Sequence, residues 1–104
     1  MAEVAPDVIA SVQRFLVVVG QRRHVDAAYL YGSQAVGSAQ PWSDIDVALV
    51  SPDFSDDLFQ ERLELMQLAA AIDDRIEPQP FTADRFNLNN PLASEIRRTG
   101  IRLA

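Results

Sequence analysis

Tyr29–Val50 read YLYGSQAVGSAQPWSDIDVALV, and this stretch decides how the chain folds. Ala27 to Tyr31 form a short apolar run, predicting a largely buried strand that Gly32-Ser33 ends abruptly. Gly32 to Pro41 are small, turn-prone residues, and a short helix is expected to open at Ser33 and stop at Gly37. Trp42 to Val50 is the clearest strand of the chain, with Ile45, Val47 and Leu49 on one face by period two. Asp44 and Asp46 fall on the opposite face, their Cα atoms roughly 6–7 Å apart by strand rise. Two carboxylates so placed repel each other unless a cation joins them. Alone, a D-x-D pattern reads as a solvated strand face on an acidic protein. The bend upstream changes the balance. N–H groups at the start of a helix attract anions, glycine allows close approach, and Ser33 adds a hydroxyl donor.

Working outward, Val8, Ile9, Val12, Phe15, Leu16 and Val19 recur at helical spacing, with Pro6 and Asp7 suited to a first turn and Gly20 to an end. Downstream, Ser51-Pro52-Asp53 breaks the strand, and a long helix is predicted from about Asp56 to Ile72 with Ser55 as its N-cap. Its expected apolar stripe is Phe59, Leu63, Met66 and Ala70, widened by Leu65, Ala69 and Ile72. Arg75 to Phe81 reads as an extended segment. Pro78 and Pro80 remove backbone donors, which places it near a sheet edge. A last helix over about Pro91 to Thr99, closed by Gly100, precedes a terminal strand over Ile101 to Leu103. The order predicts an α/β (α+β) sandwich: a small mixed sheet flanked by helices, with residues 1–104 as a single domain.

Composition narrows the chemistry. With no cysteine and one histidine among 104 residues, thiolate catalysis, disulfides and multi-histidine metal sites are excluded. The formal net charge is −6, and all nine basic residues are arginine. Such a surface opposes non-specific phosphate-backbone binding, so no strong direct nucleic-acid binding is expected. A nucleotide would need a locally reversed field, from a metal ion or oriented N–H groups. No apolar run reaches the ~20 residues of a membrane span, and no signal pattern opens the chain, so a cytoplasmic location is expected.

The pattern G-S-x-x-x-G (Gly32, Ser33, Gly37 closing the small-residue turn), a short loop, then S-D-I-D (Ser43 to Asp46) resembles the DNA polymerase beta type nucleotidyltransferase superfamily. The short chain is similar to its minimal nucleotidyltransferase (MNT) domains, often antitoxins of HEPN-domain toxins. The resemblance implies that Gly32 and Ser33 hold the β- and γ-phosphates and that Asp44 and Asp46 ligate Mg2+. It also implies a third carboxylate on a later strand, for which Glu77 is the best match, with Asp73 and Asp74 as rivals at a helix end. The implied activity is transfer of an NMP, AMP from ATP first, to a hydroxyl on a partner macromolecule, here a HEPN-type toxin. Members of the family commonly carry arginine just before the second glycine, where this chain has Val36. That departure keeps open a second reading, an inactive module that neutralises a partner by contact.

Other residues read more plainly. His24 is expected to be solvated, Trp42 to serve packing or an interface, and Tyr29 and Tyr31 to pack beside the first strand. Arg97, Arg98 and Arg102 form a local basic cluster, expected to complement the end of the last helix rather than to serve as a partner surface. Edge strands and apolar helix faces leave room for self-association.

Overall fold

The computed structural model describes residues 4–104. Helix α1 (Pro6–Gly20) starts with proline in its first turn and buries Val8, Val12, Phe15 and Val19, the stripe its spacing predicted. Strand β1 (Ala27–Tyr31) runs into the single-turn helix α2 (Ser33–Val36), which Gly37 closes in the left-handed conformation. Strand β2 (Ile45–Val50), helix α3 (Leu58–Ala70), strand β3 (Ile76–Phe81), helix α4 (Pro91–Thr99) and strand β4 (Ile101–Arg102) complete the order.

The four strands lie as β3-β2-β1-β4. β1 is antiparallel to both neighbours, while β2 and β3 are parallel, joined through α3 as a parallel crossover requires. The sheet is therefore mixed, and β3 is an edge, as its prolines foretold. Residue parity explains how that edge is blunted. Ile45 and Ser51 donate to the carbonyls of Arg75 and Phe81, so odd residues of β3 bond inward. Pro78 and Pro80 occupy the outward positions, where a missing N–H costs no ladder bond and gives an incoming strand nothing to pair with.

Each sheet face has its own core. Leu30, Ile45, Val47, Leu49 and Ile76 pack against α1 and α3. Ala48, Val50 and Phe81 pack on the other side with Phe86, Ala93 and Ile96, the last two from α4. This second cover leaves the Tyr31–Asp46 end of that face half-exposed.

Three expectations need correcting. β2 begins at Ile45 rather than Trp42, because Gln40 to Ser43 close a turn: Ser43 N donates to Gln40 O (3.0 Å) and Gln40 N to Ser43 Oγ (2.8 Å). Trp42 at the tip of that turn is 76% exposed. The N-cap of α3 is Asp57, whose carboxylate accepts from Gln60 N (3.1 Å), while Ser55 Oγ accepts from Asp57 N. The face of α3 is also rotated from the expected stripe. Phe59 is 74% exposed and Leu63 and Met66 are on the surface, whereas Leu65, Ala69 and Glu61 are buried. Glu61 can turn inward because Arg23 pairs with it at 3.2 Å and Ser55 N donates to its second oxygen at 3.1 Å. A satisfied carboxylate thus takes a position that hydrophobic periodicity would assign to an apolar residue.

Candidate active site

The open end of the second sheet face carries the residues singled out from sequence. Register places Tyr31 of β1 opposite Asp46 of β2, and Asp46 opposite Glu77 of β3. Directly paired residues share a sheet face, so these three form a row across adjacent strands roughly 4.8 Å apart. Asp44 lies just ahead of β2, exposed, and its carbonyl accepts a long bond from the buried Gln34 amide (3.5 Å). Gln34 therefore ties α2 to the acidic segment.

Gly32 sits where β1 turns into α2. Its φ of 70° and ψ of −151° fall in a region that side chains rarely adopt. A Cβ at this position would also overlap the Asp46 carboxylate. Glycine is thus required for conformation, and its lack of a side chain lets the Asp46 carboxylate lie against the bend. No side chain caps α2, and Ala35 N and Val36 N bond back to Gly32 O at 3.1 and 3.2 Å. Ser33 is half-buried as the first residue of the helix.

Like charges crowd Asp46 in this row. Burial, then Asp44, then Glu77 push the Asp46 carboxyl above the usual aspartate range. The Tyr31 phenol is pushed up to about 12, first by burial and then by Asp46, with Arg62 acting in the opposite sense. Tyr31 thus stays protonated beside the carboxylates while its ring packs against the second core, as expected. Glu77 is met by Arg62 of α3: Nη2 lies 3.5 Å from Oε2, and Nε donates to Pro78 O at 3.2 Å. Arg62 reaches around the blunted edge of the sheet from the opposite face.

The rivals for the third carboxylate are placed differently. Asp73 is clamped by Arg75, accepting from its backbone N (3.0 Å), Nε (3.0 Å) and Nη2 (2.8 Å). These bonds hold its carboxyl well below the usual range. Arg75 also reaches Asp7 (3.2 Å) and Pro41 O (3.1 Å), bracing α1 and the Trp42 turn. Asp74 is exposed in the turn after α3. Elsewhere, exposed His24 pairs with Asp26. Arg97 stacks over Phe86, Arg98 pairs with Glu95, and Arg102 donates to Ala104 O, so the basic cluster is satisfied locally. Val36 is exposed.

Chemically, Asp44, Asp46 and Glu77 offer an all-oxygen donor set suited to a hard divalent cation, beside an uncapped helix start suited to an anion. Mutual repulsion within the row is the strain that a cation relieves. Among the described residues no three His, Asp or Glu side chains already converge as a metal cage, and Glu77 is engaged by Arg62 instead. A cavity of about 260 Å³ between α1 and α3, lined by Arg22, Arg23, Phe54 and Glu64, contains none of these residues. A second cavity of about 310 Å³, lined by Gln34, Gly37, Pro41 and Arg75, borders α2, while Asp44 is exposed and Asp46 and Glu77 are half-exposed.

The Gly32-Ser33 bend thus lies beside Asp44 and Asp46 at one end of a mixed sheet. The family described as "Polymerase beta, Nucleotidyltransferase" matches residues 17–104, and the chain belongs to that family. Among solved structures it is similar to the crystal structure of a toxin–antitoxin with AMP-PNP, at 25% identity and TM-score 0.65, over 92% of this chain and 72% of that one. It is also similar in fold to the toxin–antitoxin MntA-HpeT, solved as a mutant, at 22% identity and TM-score 0.62, over 90% of this chain and 72% of that one. No curated protein matches. No helix among the described residues is long and apolar enough to cross a membrane.

Proposed function

We propose that this chain is the nucleotidyltransferase antitoxin of a HEPN-type toxin, transferring AMP from ATP to a hydroxyl on that partner. The observation that carries the reading is the Asp46–Glu77 pair in register beside Asp44, with the Asp46 carboxylate lying against Gly32 where any Cβ would displace it. Family membership and the likeness to a toxin–antitoxin crystallised with AMP-PNP support the substrate class and the kind of partner.

In this reading Ser33 and the N–H groups opening α2 hold the β- and γ-phosphates. Asp44, Asp46 and Glu77 hold Mg2+, which when bound supplies charge neutralisation for the triphosphate and lowers the pKa of the acceptor hydroxyl. Gln34 keeps Asp44 in place, and Gly32 keeps the phosphate bend against Asp46. The acceptor oxygen bonds to the α-phosphorus, the α–β bridging bond breaks, the hydroxyl proton is released and pyrophosphate leaves. The partner presents the hydroxyl to the exposed Asp44 and the half-exposed Asp46 and Glu77.

Incubation with α-labelled ATP, Mg2+ and the co-expressed partner is the test. Label is expected on the partner with the wild-type chain. Asp44→Asn with Asp46→Asn should reduce transfer by at least about a thousandfold while the fold is retained. Undiminished labelling by the double variant would refute the mechanism.

Val36 favours a second reading, neutralisation by contact alone. That reading requires the double variant to suppress the toxin as well as the wild type does.

A further inference from the structure

The proposed mechanism leaves one contact unused, and it sits on the third carboxylate. Arg62 belongs to α3, which packs on the sheet face opposite Glu77. Its guanidinium nevertheless rounds the edge of β3, anchors on Pro78 O at 3.2 Å and meets Glu77 Oε2 at 3.5 Å. The proline edge makes this passage available: an incoming strand has no donor to pair with at Pro78 or Pro80, so the outward carbonyl of Pro78 is free to hold an arginine. The two bonds differ in kind. The one to Pro78 is charge-assisted to a backbone oxygen at 3.2 Å, while the one to Glu77 is longer, at 3.5 Å, and ends on a half-exposed side-chain carboxylate that can rotate about its own bonds. Arg62 can therefore stay anchored when Glu77 turns away.

The geometry points to Arg62 as a latch on Glu77, a positioning residue that competes with the divalent cation for the third carboxylate. This rests on the reading that Asp44, Asp46 and Glu77 hold the metal. With Arg62 paired, Glu77 is neutralised and drawn to the edge. When the pair opens, Glu77 is free to join Asp46, its register neighbour. The latch lies at Glu77, the end of the acidic row away from the phosphate bend at Gly32, so it tunes completion of the metal site without touching the phosphate cradle.

Mn2+ alone, added without nucleotide and followed by the paramagnetic resonance of the free ion, tests this. Arg62→Gln removes a competing positive charge a few ångströms from the ligand and should tighten Mn2+ binding by about three- to tenfold. Arg62→Lys should return affinity towards the wild-type value. In a Glu77→Gln background, Arg62→Gln should change nothing, because the latch has lost its bolt. Melting temperatures of all variants check that the fold is intact. Unchanged or weaker Mn2+ binding in Arg62→Gln, or an effect that persists in the Glu77→Gln background, overturns the latch while leaving the proposed function standing. Failure of both wild type and Arg62→Gln to bind Mn2+ overturns the latch together with the metal site it acts on.

Discussion

Asp73 and Asp46 are the same residue type in one small protein, and they are treated in opposite ways. Asp73 accepts three hydrogen bonds from Arg75, and its carboxyl is held far on the ionised side. Asp46 stands between Asp44 and Glu77, and burial and like charge push its carboxyl upward. The first arrangement spends a carboxylate on stability, fixing Arg75 where it also holds Asp7 and the Pro41 carbonyl. The second sets like charges side by side at the half-exposed end of the sheet, a repulsion that a bound cation would relieve. Functional acids are commonly found in the second condition, structural acids in the first.

The contrast can be attacked at several points. The largest effect is expected from Gly32→Ala, which combines backbone strain with overlap on Asp46. A loss of about 3 kcal/mol in unfolding free energy, or nucleotide binding abolished in a chain that still folds, is expected from denaturant titration and calorimetry. Wild-type behaviour in both would mean that the bend does not approach Asp46 as described.

Next is Asp73→Ala, expected to cost about 2 kcal/mol because it strips charged hydrogen bonds from a largely buried acceptor. The sign in pH follows from the lowered carboxyl. Stability from Asp73 is fully present above the unfolded aspartate value of about 3.9 and is lost as pH falls below it. The variant should therefore lose its deficit relative to wild type in strong acid. A constant deficit across pH would show that packing, not ionisation, is responsible.

The smallest effect is expected from Asp46→Asn. A raised carboxyl opposes folding when ionised, and this penalty is relieved as pH falls through its folded pKa. At neutral pH the variant should melt slightly higher than wild type, and the gain should vanish at acid pH. A lower melting temperature at neutral pH would place Asp46 among the structural acids.

Much of this arrangement was legible in the sequence because its signals are local. Gly32, Gly37 and the alternation of Ile45, Val47 and Leu49 fix the strand–turn–strand unit within a few residues of chain. Pro78 and Pro80 identified the edge. What escaped was set by distant partners. The face of α3 turned on Arg23 making Glu61 tolerable in the interior, a contact 38 residues apart in sequence. Tyr31 entered the site through cross-strand register, and Arg62 by reaching over an edge from another layer. Neither leaves a periodic trace. Trp42, expected to pack or to meet a partner, is held out, 76% exposed, on a turn braced by Arg75.

The crowded acids beside the Gly32 bend can be tested most directly by titrating ATP with Mg2+ into the wild type and into Asp44→Asn with Asp46→Asn in a calorimeter. Micromolar binding by the wild type and its loss in the double variant is the expected result. Equal heats from both proteins would contradict the assignment of these carboxylates to the nucleotide site.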